Sequence, residues 1–326
     1  MSSGRRIHQV HAHVRGVDCS TAHLHAPRCI IDCHVHFYDP FRPGHSGLGE
    51  SEGLHHRTCL TAQCLALCGH EGVTGAVLVE CSAPVEDNQW LLDLSDTDQF
   101  IVGVVGHIAP GPSFCADVDR FAKHPRFCGI RSSRCSLAEL KHLRDSGLQL
   151  DHIGGPPDAI HELCAQLRQV PGLRVVINHM AQPGPFSPLA ANATSVAPQP
   201  SAEWLAAIRA AATIDSVFMK VSAVFEAAPA AAPAPVYLDY YLPHLEALWS
   251  AFGSERLIYG SNWPVCDRCG DPAEVYGEQL LVLRQFFGAK GVEAVENYFW
   301  RNALRAYCYS ATDSHKGSWR TYDEQV

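Results

Sequence analysis

Eight short runs rich in Val, Ile and Leu recur along the chain, each separated from the next by a longer stretch with helical spacing. They cover 29–35, 76–81, 101–107, 127–132, 148–153, 173–179, 217–221 and 257–261. Strands that are apolar almost throughout belong to a parallel sheet covered on both faces, because polar alternation is needed only where one face meets water. A strand followed by a helix, repeated eight times, is the number that closes a (β/α)8 TIM-type barrel. We therefore expect an α/β fold of this kind, distorted, as a single domain over 29–309. An open doubly wound sheet is the alternative, but no Gly-x-Gly-x-x-Gly fingerprint follows any run.

The intervening helices carry their own punctuation. Leu60, Cys64, Leu67 and Cys68 recur at helical spacing within 58–71, and Gly72 is placed to end that helix. Ser136 and Glu139 form a capping box, Ser201 opens an Ala-rich helix ending near Ala212, and a last helical stretch runs over 292–307. Outside the barrel we expect a tail over 1–28, rich in His and Arg, and another over 310–326. Two Pro- and Ala-rich segments, 182–200 and 227–235, follow the sixth and seventh strands and are placed to overhang a site.

With 326 residues, 47% hydrophobic and 18% charged, the chain can bury a large core. A net charge of -9 without a basic cluster disfavours nucleic acid and anionic membrane as partners, leaving a small molecule. No apolar run approaches the roughly 18 residues of a membrane span, so we expect a soluble, cytoplasmic protein, with organelle targeting by 1–28 as the alternative. The 14 cysteines are dilute and many sit in apolar segments, which reads as reduced, packed thiols. Cys266 and Cys269 have the spacing of half a zinc ribbon, but no second pair accompanies them. Nothing in the sequence speaks against a homo-oligomer.

Catalytic groups of such barrels come from the carboxyl ends of the strands, and polar residues gather there. The first run delivers His34 and His36, which share a face because strand side chains alternate. A His-x-His pair at a strand mouth can chelate a divalent metal, with zinc the best match to imidazole nitrogen. The other runs end in Glu80 and Ser82, His107, Arg131, Asp151 and His152, Asn178 and His179, Lys220 and Ser222, and Ser261 and Asn262.

Three blocks carry a family resemblance. Ile31-Asp32-Cys33-His34-Val35-His36-Phe37-Tyr38-Asp39-Pro40, Val176-Ile177-Asn178-His179-Met180-Ala181-Gln182-Pro183 and Leu257-Ile258-Tyr259-Gly260-Ser261-Asn262-Trp263-Pro264-Val265 resemble the signature blocks of amidohydrolase-related proteins. The branch they are most similar to comprises lactonases of sugar-acid lactones and of 2-pyrone-4,6-dicarboxylate. The resemblance implies a hydrolase that opens a cyclic ester with water, His34, His36 and His179 forming the reactive cluster and, in some members, holding a divalent metal. It makes Arg131 the clamp for a substrate carboxylate, a role suited to a planar, bidentate guanidinium. Lys220, His107, His152 and Ser82 are further candidates for contact with a lactone or carboxylate substrate.

One departure stands out. The family usually has Asp after Gly-Ser in the last block, as general base or metal ligand, and this chain has Asn262. An amide does not accept a proton at neutral pH. A metal could lower the pKa of its water to about 7 and spare the base, with Asn262 orienting water or carbonyl. Without metal, turnover is expected to be very slow unless another acid, such as Glu80, faces inward. A decarboxylase of an aromatic or unsaturated acid, and a weakened or inactive binding protein, are the competing readings.

Overall fold

The computed structural model describes residues 26–43, 50–186, 197–229 and 233–307. The expected tail over 310–326 and most of that over 1–28 lie outside them, as do 187–196 and 230–232 of the two overhanging segments. Eight strands form one sheet in chain order: β1 (Ile30–Val35), β2 (Val73–Val79), β3 (Ile101–Gly106), β4 (Phe127–Arg131), β5 (Gln149–His152), β6 (Val175–Ile177), β7 (Val217–Val221) and β8 (Leu257–Tyr259). Every neighbouring pair is parallel, and helices separate consecutive strands. The ring closes where the segment after β8 returns to β1, through a parallel bridge of Val35 with Trp263. The expected barrel is present, and its distortion is concentrated early, with register shifts between β1 and β2, β2 and β3, and β3 and β4.

All eight expected runs are strands, and their differences from expectation have local causes. β2 begins at Val73, ahead of the apolar run, because Thr74 and Gly75 join the ladder although neither reads as apolar. β6 and β8 stop two residues short, since His179 and Asn262 have φ of 54° and 64° and leave the extended region a ladder requires. The capping box at Ser136 forms, Ser201 caps the helix Ala202–Ala212, and Gly72 adopts φ 79° behind the helical segment ending at Glu71. The last helical stretch is continuous but widens into a π turn over Asn297–Arg301.

The main core lies where the helices cover the strands, joining Leu78, Val104, Ile130, Val175 and Met219 to Leu91, Leu140, Leu163, Leu248 and Phe287. Each such side chain contributes roughly 1.5–3 kcal/mol by leaving water. A second cluster of Ile31, Cys33, Val77, Val105, Val176 and Ile258 includes Trp300, Ala303 and Tyr307, so the final helix packs directly onto the strands. The twelve described cysteines are free and mostly buried, as a packed-thiol reading requires. No described helix is long and apolar enough to cross a membrane.

Candidate active site

Barrel closure assembles one side of the mouth. The His36 amide donates to the Trp263 carbonyl at 2.9 Å and the Asn262 amide to the His34 carbonyl at 2.9 Å, so Asn262 is stitched beside the histidine pair. Asp32 locks this seam from below. Its Oδ1 accepts the amides of His34 (3.1 Å) and Ser261 (2.9 Å), and its Oδ2 accepts the Tyr276 hydroxyl at 2.8 Å. Gly260 is required by packing, because a Cβ there would lie 2.8 Å from the Cβ of His34.

His179 arrives by a different device. Residues 179–182 all have φ between 52° and 57°, a left-handed turn in which the Ala181 amide donates to the Asn178 carbonyl and the Gln182 amide to the His179 carbonyl. The turn is held by Trp204, whose indole N–H donates to the Met180 carbonyl at 2.8 Å. It brings the His179 ring to 4.4 Å from that of His34, while the rings of His34 and His36 are 5.0 Å apart.

Hydrogen bonds assign the protons on two of these rings. His36 Nδ1 lies 2.6 Å from the Val79 carbonyl, which only accepts, so Nδ1 carries the hydrogen and Nε2 is an acceptor. His34 Nδ1 lies 3.3 Å from Nζ of Lys220, which as an ammonium only donates; Nδ1 is the acceptor and Nε2 carries the hydrogen. That Nε2–H is buried with no hydrogen-bond partner. His179 Nδ1 pairs with the Ser222 hydroxyl at 2.9 Å. Burial, followed by the nearby cations, keeps all three rings neutral: Arg131 acts with burial to push His36 down to about 3, and Lys220 acts with burial on His34 and His179.

Lys220 is fully buried and forms an ion pair with Asp151 at 2.7 Å, and Asp151 also accepts the Tyr307 hydroxyl at 3.2 Å. It therefore faces His34 rather than open space. Arg131 is half-buried at the end of β4, and its charge acts on His36, His179, His107 and Glu80. His107 is half-buried beside it, its ring lowered by burial and by that charge. His152 and Ser82 are committed to their own chain neighbours: His152 Nδ1 accepts the Gly154 amide at 3.2 Å, and the Ser82 hydroxyl donates to Asp87. Burial pushes His152 down to about 4. Glu80 is raised to about 7 by burial, but one of its oxygens is tied to the Ser82 amide.

Sequence reasoning missed Glu226. It lies in the turn Phe225–Ala227 after β7, and its Oε1 accepts the Asn262 side-chain amide at 2.7 Å. Its Oε2 is shielded from solvent and has no hydrogen-bond partner. The available signal was its isolation: it is the one acid between Lys220 and Asp239, in a stretch otherwise of Ala, Pro and apolar residues apart from Ser222.

The cluster does not fit a metal as it stands. Among the described residues no three His, Cys, Asp or Glu side chains are arranged to hold an ion together. A ligating histidine donates its second N–H to an acceptor, and His34 instead turns its second nitrogen to an ammonium. The residue that the last block usually supplies as a carboxylate is an amide here.

A closed eight-stranded barrel whose mouth gathers histidines from its first and sixth strands defines an amidohydrolase-type protein, and the comparison with known families agrees. The chain belongs to the amidohydrolase family, matched over residues 31–308. It is 30% identical over 254 residues to the L-fucono-1,5-lactonase of Burkholderia ambifaria, covering 74% of this chain and 82% of that protein. Two solved structures share the fold. An amidohydrolase from Burkholderia multivorans with bound zinc is 20% identical, with a TM-score of 0.70 over 86% of this chain and 100% of that one. A probable 2-pyrone-4,6-dicarboxylic acid hydrolase from Acinetobacter baumannii with citric acid bound is 14% identical, with a TM-score of 0.63 over 86% and 99%.

Proposed function

We propose that the protein is a lactonase, adding water across the ring ester of a small sugar-acid lactone. The observation that carries this reading is the unpartnered, buried Nε2–H of His34 within a cluster of three neutral imidazoles. A lactone carbonyl oxygen placed against that N–H gains a donor already oriented and desolvated, and one such donor accounts for roughly 100- to 1,000-fold in rate. The relationship to a fucono-lactonase supports a hydroxyl-rich substrate.

Each residue then has a part. His34 polarises the carbonyl, with Lys220 and Asp151 fixing its tautomer from behind. His36, held by Val79 through Nδ1, lies against the Asn262 side chain and helps to orient it. His179 closes the same face. Arg131 and His107, half-buried at the rim, hold a carboxylate or ring hydroxyls. A metal is not needed to polarise the carbonyl, because the His34 N–H occupies that role.

The test is a panel of aldono-lactones and aromatic carboxylates offered to protein purified without chelator, with bound metal measured alongside. Lactone opening with proton release, unaffected by chelator, is the expected result. His34→Ala should lower kcat by about 100-fold or more. Carbon dioxide release from an aromatic acid, or no turnover of any lactone, would overturn the reading.

A further inference from the structure

We infer that Glu226 is the proton-transfer group of this site, a carboxylate supplied from the turn after β7 in place of the one that strand eight lacks. The inference rests on the lactonase reading above and deepens it. Its basis is positional. Asn262 stands where the family usually has Asp, and the 2.7 Å bond from its side-chain amide to Glu226 Oε1 brings a carboxylate next to that position. The pairing is directional, because an amide donates where an Asp at 262 would repel a second carboxylate. Asn262 and Glu226 therefore work as a unit: the amide holds one oxygen and leaves Oε2, shielded and unpartnered, to receive a proton.

The histidines are already engaged: His34 Nδ1 faces the Lys220 ammonium, His36 Nδ1 bonds to the Val79 carbonyl and His179 Nδ1 pairs with the Ser222 hydroxyl. An efficient base titrates near the working pH. Burial raises Glu226 to about 7, a shift moderated by the Asn262 bond and the charge of Arg268 and reinforced by that of Asp267. Tyr241, Cys266 and Cys269 are the other titratable groups in its electrostatic surroundings. Glu80 is raised to about 7 as well and also has one oxygen bound, by the Ser82 amide, but it lies after β2 and has no bond to Asn262.

The step balances without a co-reactant. The water oxygen bonds to the lactone carbonyl carbon, its proton passes to Glu226 Oε2, and the carbonyl π pair moves onto the oxygen facing His34 Nε2–H. When the tetrahedral intermediate collapses, the ring C–O bond breaks and Glu226 returns the proton to the departing ring oxygen. The product is an open hydroxy acid, which ionises.

The test is kcat and KM on an accepted lactone from about pH 5 to about pH 9 for the wild type, E226Q, E80Q and the double variant E226Q/N262D. In the wild type kcat/KM rises with pH and levels above about 7. E226Q should lose about 100-fold or more in kcat with KM little changed, and should lose that pH limb. E226Q/N262D should recover much of the rate, with its limb moved to lower pH, because the carboxylate is back on strand eight. Should E226Q not fold, E226D must keep the limb at a reduced kcat. E226Q within about twofold of the wild type, or loss of the limb in E80Q instead, overturns the assignment of Glu226 and leaves the lactonase reading intact. A wild type that opens no lactone overturns both.

Discussion

The two halves of the barrel rim are built differently. After β2 and β5 the polar side chains are bound mostly within their own stretch of chain: Glu80 to the Ser82 amide, Ser82 to Asp87, and His152 to the Gly154 amide, while Asn88 reaches over to the backbone of His107. After β6, β7 and β8 the contacts cross between strands, from His179 to Ser222, from Lys220 to Asp151 and His34, and from Asn262 to Glu226. The backbone follows the same division. All six described non-glycine residues with positive φ lie in the second half: 179–182, Ala223 and Asn262. A left-handed L-residue costs roughly 1–2 kcal/mol. Such a cost persists where surrounding structure over-determines the conformation, and it clusters at sites where side chains must be aimed. The first half is stable framework with a few polar ends, and the second half spends backbone energy to bring groups together.

The largest test of this contrast is the ion pair that spans β5 and β7. Asp151→Ala leaves the Lys220 ammonium buried and unpaired, and should cost about 3–5 kcal/mol in denaturant unfolding. Asp151→Leu combined with Lys220→Met should cost far less; equal losses would mean that packing, not charge, holds the two strands. Next in size is Gly260→Ala, whose methyl would collide with the His34 side chain. It should cost about 1–3 kcal/mol and depress kcat more than KM, as His34 is displaced. A variant with wild-type kinetics would show that the seam between β8 and β1 tolerates movement.

Smaller, and aimed at the backbone itself, are two glycine substitutions of opposite sign. Ala223→Gly, at φ 53°, should stabilise by up to about 1 kcal/mol by relieving the left-handed conformation. Ala83→Gly, on the first half of the rim where no described non-glycine residue is left-handed, should destabilise by about 0.5–1 kcal/mol through lost chain stiffness. The same sign for both would erase the distinction drawn between the halves. Different in kind, because pH reads it, is the effect of Glu226 on melting. Its carboxyl is raised from 4.5 to about 7, so its protonated form is favoured in the folded state. That contribution is fully present below the unfolded pKa and is lost as pH rises through about 7. E226Q should therefore melt above the wild type in alkaline buffer and match it in acid; no difference at any pH would mean that burial does not raise this carboxyl.

Much of the framework was legible because it follows from pattern. Continuous apolar runs mark strands covered on both faces, and local chemistry such as the Ser136–Glu139 box marks where helices begin. The histidines at 34, 36 and 179 were also visible, since two leave a strand together and the third ends another. Less legible was anything fixed by distant partners. The early ends of β6 and β8 depend on left-handed turns that Trp204 and the β1 seam impose. Lys220 reads as a rim residue until its full burial beside Asp151 is seen. Asp32 looks like one letter of a motif, yet it joins β1, β8 and Tyr276. Glu226 escaped notice because it comes from an Ala- and Pro-rich stretch with no periodicity, and only folding sets it against Asn262.

Tyr307 comes 273 residues after His34 in the chain, yet its hydroxyl props the aspartate whose lysine partner sets the tautomer of that histidine. A growing polypeptide can wind most of the cylinder and still lack that last strut. The setting of the His34 ring thus depends on the last described helix, and a chain cut before Tyr307 would leave loose a group carried by the first strand.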